Sequence, residues 1–271
     1  MKIFVVEHKN LIKALPYPYY LIGVGNHPSL GSVNILRDKE GENISEKNPA
    51  YCELTALYWI WKNVTDQNVV GLCHYRRFFD FHSSHILNYK VIVRKSQELE
   101  TFNLDVPENV LTAVEKGAVV VGRKHFYHES VYENLCRRRF AKPLQILEDI
   151  VKESGEEYYQ SYKKLMYHSN GMYPYNMTLI RKDYFDEYCE WLFEVFFKWE
   201  KMVGGTSSYG RYPRMYGYLG ERMFNIWLDV KKHKLIVRPV IVFDDSYVKG
   251  KSTMIFKMKL IAKRIVFMFG K

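Results

Sequence analysis

The sequence predicts an α/β fold built on a mainly parallel central sheet. Short apolar runs rich in β-branched residues recur at 2–6, 69–73 and 118–122, each cut off by polar or basic residues. Between the first two lies a segment of helical periodicity, so strand, loop, helix and strand follow in the order that favours parallel pairing. Of the 271 residues, 47% are hydrophobic and 16% aromatic, which supports one substantial core. That length suits one large domain better than two independent ones.

Residues 2–6 read as a first strand, and Tyr19, Leu21, Ile22 and Val24 as a short second one beyond a loop marked by Pro16 and Pro18. The following Gly23-Val24-Gly25-Asn26 leaves a plain turn and a phosphate cradle both open, because a lone G-x-G is weakly specific. Residues 31–48 are polar and loop-like. Asn48-Pro49 opens a helix to about Asn63, an N-cap side chain followed by proline at the first helical position. Tyr51, Leu54, Tyr58 and Trp61 share one of its faces, and Glu53 lies off that stripe. After the strand at 69–73, residues 80–108 show no clear period.

A helix over 108–116 leads into the strand at 118–122, whose carboxyl end carries Arg123-Lys124-His125. Ser130-Val131-Tyr132-Glu133 is a capping box, Pro143 begins another helix, and Gly155 separates that from a third at 156–167. This helical insert either walls an acceptor cleft or is purely structural. Tyr175 to Ile180 reads as a strand with Asn176 near its start, and Asp183 as the cap of the next helix. Tyr184, Tyr188, Trp191, Val195 and Trp199 give that helix an aromatic stripe suited to a core. Residues 202–217 form a loop long enough to suggest a mobile segment beside a site. A helix from about Tyr218 to Lys231 and a strand at 235–242 close the domain.

Forty Lys and Arg against 30 Asp and Glu leave a net charge of +10, unevenly placed. No acidic residue follows Asp245, whereas Lys249, Lys251, Lys257, Lys259, Lys263, Arg264 and Lys271 do. We therefore divide the chain into a body over 1–248 and a basic tail over 249–271. In a helix over 252–269, Met254, Ile255, Met258, Ile261, Ile265 and Met268 form one continuous apolar face beside the lysines. Such a tail suits an anionic membrane surface; the competing reading packs its methionine-rich face on the body. A nucleic-acid partner is disfavoured, because the excess charge is confined to the tail. The four cysteines have no metal-ligand spacing, and the amino-terminal segment is charged too early for a secretory signal. No run approaches the roughly 20 apolar residues that span a bilayer. The expectation is a cytoplasmic protein, peripheral on the inner face of the cell membrane.

The chemistry-bearing stretch is Val69-Val70-Gly71-Leu72-Cys73-His74-Tyr75-Arg76-Arg77-Phe78-Phe79. Ligands of open α/β sheets sit outside the carboxyl ends of the strands. Guanidiniums at Arg76 and Arg77 would suit a diphosphate or carboxylate there, since each planar fork binds oxygens in pairs. A solvated basic turn is the alternative. His74 reads either as a donor to a phosphate or hydroxyl, or as a satisfied structural group.

Further motifs accompany this one: Asn43-Ile44-Ser45-Glu46-Lys47-Asn48, then Tyr51-Cys52-Glu53-Leu54-Thr55-Ala56-Leu57-Tyr58-Trp59-Ile60-Trp61-Lys62-Asn63. Asn176-Met177, Phe185 to Phe193, and Gly217-Tyr218-Leu219-Gly220-Glu221-Arg222 follow. Over roughly residues 1 to 230 the chain resembles a family of glycosyltransferases encoded in bacterial capsular and exopolysaccharide clusters, formerly catalogued as a domain of unknown function. The resemblance implies a single GT-A-like domain and a hexosyltransferase. Its donor would be a nucleotide sugar, UDP-galactofuranose or UDP-galactose first. Its acceptor would be a saccharide on a polyprenyl diphosphate, with inversion preferred.

Glu221 is the leading catalytic carboxylate, placed just after a glycine-rich loop at the start of a predicted helix, although it could equally cap that helix or pair with Arg222. His74, Arg76 and Arg77 are the donor-binding candidates, joined on the strength of the resemblance by Asp38, Asn43 and Glu53. Asn176 and Arg222 are assigned to the acceptor. No D-x-D stands at a strand end, the nearest acidic residues being Asp80 and the adjacent Asp244-Asp245. Two arrangements stay open: the arginines replace a metal electrostatically, or Asp80 ligates a divalent cation such as Mg or Mn. P-loop, H-E-x-x-H, G-x-S-x-G and zinc-ligand patterns are absent from the sequence. The rival class is a non-catalytic nucleotide-sugar or carbohydrate-binding protein of the polysaccharide assembly machinery.

Overall fold

The computed structural model describes residues 1–9, 14–28, 35–82, 91–138 and 140–245. The tail over 249–271, with its expected amphipathic helix, lies outside the described residues. In chain order the strands and helices are β1 (Lys2–Glu7), β2 (Tyr19–Gly23), β3 (Leu36–Arg37), α1 (Asn48–Tyr51), α2 (Leu54–Asn63), β4 (Val69–His74), β5 (Arg77–Phe79) and β6 (Val91–Arg94). They continue with α3 (Glu108–Glu115), β7 (Val119–Gly122), β8 (His125–Phe126), α4 (Val131–Cys136), α5 (Ala141–Glu153) and α6 (Glu156–His168). The chain then forms β9 (Gly171–Met172), β10 (Thr178–Arg181), α7 (Lys182–Met202), α8 (Met215–Lys231), β11 (Leu235–Arg238) and β12 (Val240–Phe243).

The main sheet runs β11-β7-β10-β4-β1-β2-β3. Along that path only β10 is antiparallel to its neighbours, β4 and β7. β1 pairs in parallel with both β2 and β4, as the strand-loop-helix-strand pattern predicts. Alternation along β1 divides its side chains between two cores: Phe4 and Val6 face the helices, while Ile3 and Val5 face Phe78, Phe79 and Ile241. This is the mixed α/β fold with a mostly parallel central sheet that the sequence predicts. The helical insert is present as α4 to α6, and its capping box forms as expected, with Ser130 Oγ accepting from the Glu133 amide.

Five local expectations are corrected. The helix expected to run unbroken from Asn48 to Asn63 breaks at Cys52, which adopts φ 54° and ψ −131°. Asn48 is not the N-cap; its side-chain Nδ2 donates to the Cys52 carbonyl at 2.9 Å and so bridges the break. The strand expected from Tyr175 begins only at Thr178, because Tyr175 and Asn176 are left-handed, at φ 80° and 52°. α7 starts at Lys182 without a side-chain cap, Asp183 pairing with Arg181 instead. Pro239 divides the expected last strand, so that β11 pairs with β7 while β12 pairs with β5 and β6.

α8 begins at Met215, three residues earlier than its predicted start, and packs against α1, α2, α6 and α7. Its close approach to the α1–α2 break depends on two glycines. A Cβ on Gly217 would lie 3.1 Å from Cys52 Cβ, and one on Gly220 would lie 2.8 Å from Leu54 Cδ2. Leu54 is fully buried and cannot swing aside, so Gly220→Ala should lower stability by about 2 kcal/mol through overpacking. Denaturant unfolding measures this, and an unchanged midpoint would show that the helix can shift without cost.

Candidate active site

Because β10 runs against its neighbours, the residues preceding it share a sheet edge with the carboxyl ends of β1, β2, β4 and β7. His74 at the end of β4 therefore meets Tyr175, with its Nε2–H directed at the Tyr175 carbonyl at 2.5 Å. α8 and the α1–α2 break close over this edge from the helical side.

Backbone strain concentrates here. Among the described residues the non-glycine positions with positive φ are Cys52, Tyr175, Asn176, Arg214 and Lys232. Lys232 is an ordinary left-handed C-cap of α8. The other four surround the site, and such conformations persist only where the surroundings over-determine them. The Cys52 carbonyl accepts from Asn48, and also from Thr55 Oγ1 at 3.1 Å. The Tyr175 amide donates to Glu221 Oε1 at 2.8 Å. Asn176 Nδ2 donates to Glu53 Oε1 at 2.8 Å and to the Gly217 carbonyl at 3.3 Å.

Two carboxylates are thus delivered to one place from distant parts of the chain. Glu53 immediately precedes α2, aimed by the break at Cys52. Glu221 lies in the second turn of α8 rather than at its start, so the helix N-terminus contributes little to stabilising its charge. Its Oε2 accepts from Arg222 Nη1 at 2.8 Å. Burial is the main cause that pushes the Glu221 carboxyl above the ordinary range, opposed by the Arg222 charge and reinforced by Glu53. Glu53 is also raised, again chiefly by burial, with its Asn176 hydrogen bond and the charges of Arg214 and Arg77 opposing. A carboxyl shifted upward in this way is a stronger base than an ordinary carboxylate.

Guanidiniums balance the pair. Arg77, at the start of β5, lies 4.7 Å over the Tyr175 ring. Arg214 caps α8 from a left-handed position at φ 60°, where its charge acts on both Glu53 and His74. Arg77 and Arg214 make no salt bridge among the described residues, and the charges of both act on Glu53. The His74 imidazole is held neutral, its pKa lowered to about 4 by burial and then by the Arg77 charge.

That shift has a measurable consequence. Unfolded, His74 would take up a proton near pH 6.5; folded, it resists until about pH 4, so the native state loses stability as pH falls through that window. The contribution amounts to about 2 kcal/mol between pH 7 and pH 5. The raised Glu53 and Glu221 act in the opposite sense, so the readout is a difference. Wild type should lose about 2 kcal/mol more than His74→Gln over that interval in denaturant unfolding. Equal losses would show that His74 titrates normally in the folded protein.

Of the residues singled out in the sequence, His74, Arg77, Glu53, Asn176, Glu221 and Arg222 converge. Arg76 points elsewhere, its Nη1 2.6 Å from Asp244 Oδ2. Arg222 is buried and spans Glu221, the Tyr218 carbonyl and the Tyr127 hydroxyl. Asn176 is buried and turned toward Glu53 and α8. Asp38, fully buried past β3, accepts from the Gly25 amide and Ser45 hydroxyl and so fixes the turn beyond β2. Asn43 is exposed and spends its side chain on the 39–45 turn. Asp80 lies beyond β5 and accepts from the His82 amide. Among the described residues, no group of three or more His, Cys, Asp or Glu side chains is arranged to hold a metal ion. Sequence reading missed Arg214, Cys52 and Tyr175; an arginine after Pro213 in a glycine-rich loop was the one available signal.

The structure is a mixed α/β fold with a mostly parallel central sheet, and paired carboxylates and guanidiniums meet at the edge formed by the carboxyl ends of its parallel strands. The chain belongs to the family described as domain of unknown function DUF4422, whose model matches residues 2–233. Among solved structures it is similar to the apo form of WbbM, a bifunctional glycosyltransferase, with 26% identity and a TM-score of 0.77. The match covers 90% of this chain and 45% of that one, so the chain spans less than half the length of WbbM. A comparison with curated proteins finds no match.

Proposed function

We propose that this chain is a glycosyltransferase that moves a sugar from a nucleotide-sugar donor to a saccharide acceptor. The observation that carries this reading is the meeting of Glu221 and Glu53 with Arg77 and Arg214 at the sheet edge where α/β folds bind ligands. The similarity to WbbM supports it. In the reaction, the acceptor hydroxyl oxygen attacks the anomeric carbon as Glu221 takes its proton. The bond from that carbon to the donor phosphate breaks, and the diphosphate leaves with the bonding pair, its charge met by Arg77 and Arg214. Attack opposite the leaving group gives inversion.

UDP-galactofuranose and UDP-galactose are the first donors to test. The acceptor in this reading is a polyprenyl-diphosphate-linked saccharide of a bacterial surface polysaccharide, and the basic carboxyl-terminal stretch would meet the anionic membrane that carries it. No helix among the described residues is long and apolar enough to cross a membrane. One feature favours the non-catalytic alternative: both Glu221 oxygens are already hydrogen-bonded, as in a structural carboxylate. A thermal-shift series with nucleotide sugars tests donor recognition, since a ligand bound only to the folded state raises its melting temperature. A rise with UDP-sugars and UDP but not with uridine is expected; no rise with any nucleotide would refute the donor assignment.

A further inference from the structure

The turn between α4 and α5 brings the helical insert to the carboxylate site. Arg138 stands in that turn, with its guanidinium carbon 4.2 Å over the Tyr218 ring. Arg214 lies over the same ring at 5.9 Å. Tyr218 precedes Glu221 by three residues, which makes the two neighbours on the surface of α8.

Arg138 is exposed, yet the chain fixes it on both sides. Its amide donates to the Leu135 carbonyl at 2.9 Å. Two residues further on, the buried Phe140 sets its ring 6.3 Å from that of Tyr218 and 6.1 Å from that of Tyr212. Tyr212 belongs to the segment that leads into Arg214, so the insert and the start of α8 are packed together here.

Tyr127 ties Arg138 to Glu221 a second time. Arg222 Nη2 donates to the Tyr127 hydroxyl at 3.3 Å. Burial raises the Tyr127 phenol, the charges of Arg222 and Arg138 oppose that rise, and Glu221 reinforces it. Arg138 and Glu221 therefore act on the same hydroxyl.

The arrangement repeats that of Arg77, whose guanidinium lies 4.7 Å over the Tyr175 ring. A guanidinium held against an aromatic ring is oriented in advance, and its planar fork binds paired oxygens. Arg138 enters no salt bridge among the described residues, whereas its neighbour Arg137 lies 3.6 Å from Glu129. A departing nucleoside diphosphate carries more negative charge than two guanidiniums neutralise, and positive charge fixed where that charge develops stabilises the transition state.

We propose that Arg138 is a third guanidinium for the donor diphosphate, supplied by the helical insert from the Tyr218 side of Glu221 while Arg77 acts from the Tyr175 side. The insert then contributes to ligand binding as well as to the fold. The proposal rests on the glycosyltransferase reading for the identity of that diphosphate.

UDP, inorganic pyrophosphate and uridine are titrated calorimetrically into wild type, Arg138→Ala and Arg137→Ala, with melting temperatures as the folding control. Arg138 and Arg137 are both exposed, so the variants should fold. UDP and pyrophosphate should bind Arg138→Ala about tenfold more weakly than wild type, as expected for one charge-assisted contact. Uridine binding should not change, and Arg137→Ala, which removes the same charge one residue away, should match wild type throughout. Wild-type UDP affinity in Arg138→Ala, an equal loss in Arg137→Ala, or a parallel loss of uridine binding would overturn the proposal. If UDP fails to bind wild type while pyrophosphate binds through Arg138, the donor reading falls and the anion site stands. Pyrophosphate binding indifferent to Arg138, or no binding of either anion, would overturn the site itself.

Discussion

Glu221→Gln should lower the turnover number for sugar transfer about a thousandfold while leaving donor affinity within about threefold of wild type. The amide keeps the side chain's size and can still accept the Tyr175 hydrogen bond, but it cannot take a proton. Arg222 loses its charged partner and keeps the Tyr218 carbonyl and Tyr127 hydroxyl, so the fold should survive. Wild-type rates should fall as pH drops through the Glu221 pKa, which burial places above the ordinary carboxylate value; that acid limb should vanish in the variant. Steady-state rates across pH, with the melting temperature as a folding control, provide the check. Retention of most activity would move the base elsewhere. Glu53 would be the first alternative, being also shifted upward by burial and accepting from the Asn176 side-chain amide at 2.8 Å.

Arg77→Ala should weaken UDP binding about a hundredfold and leave uridine binding unchanged, because in the proposed reading the guanidinium meets the diphosphate and not the nucleoside. Arg76→Ala should cost much less, since its guanidinium is engaged by Asp244. The adjacent arginines are thus expected to differ despite their shared motif. Calorimetric titration of UDP and uridine into both variants measures the difference. Equal losses for UDP and uridine in Arg77→Ala would show that its stacking on Tyr175 matters for the shape of the edge rather than for charge.

The parallel strands were legible because their β-branched runs are local, and the insert helices because capping and glycine signals are local. The break at Cys52 was not. Residues 48–63 carry an uninterrupted helical pattern, and what favours the break is α8 pressing Gly217 against Cys52 from 165 residues further on. Tyr175 likewise gives no sequence sign of a left-handed backbone, which its amide's bond to Glu221 holds in place. Asn176 carried a faint one, since asparagine tolerates that region better than most residues. Glu221, Arg77 and His74 stood out as charged or polar groups at the ends of apolar elements. The pairing of Glu221 with its neighbour Arg222 was one of the readings the sequence offered, whereas the partners contributed by distant segments, Tyr175 above all, could be assigned only from the fold.

The most direct test of the account is UDP release from UDP-galactofuranose or UDP-galactose, followed with and without a polyprenyl-diphosphate-linked saccharide, in wild type and Glu221→Gln. The account predicts slow release from wild type alone, acceleration and a glycosylated product when acceptor is added, and near-complete loss of both in Glu221→Gln despite normal donor binding. Donor binding with no release or product under any acceptor, or undiminished transfer by Glu221→Gln, would contradict it.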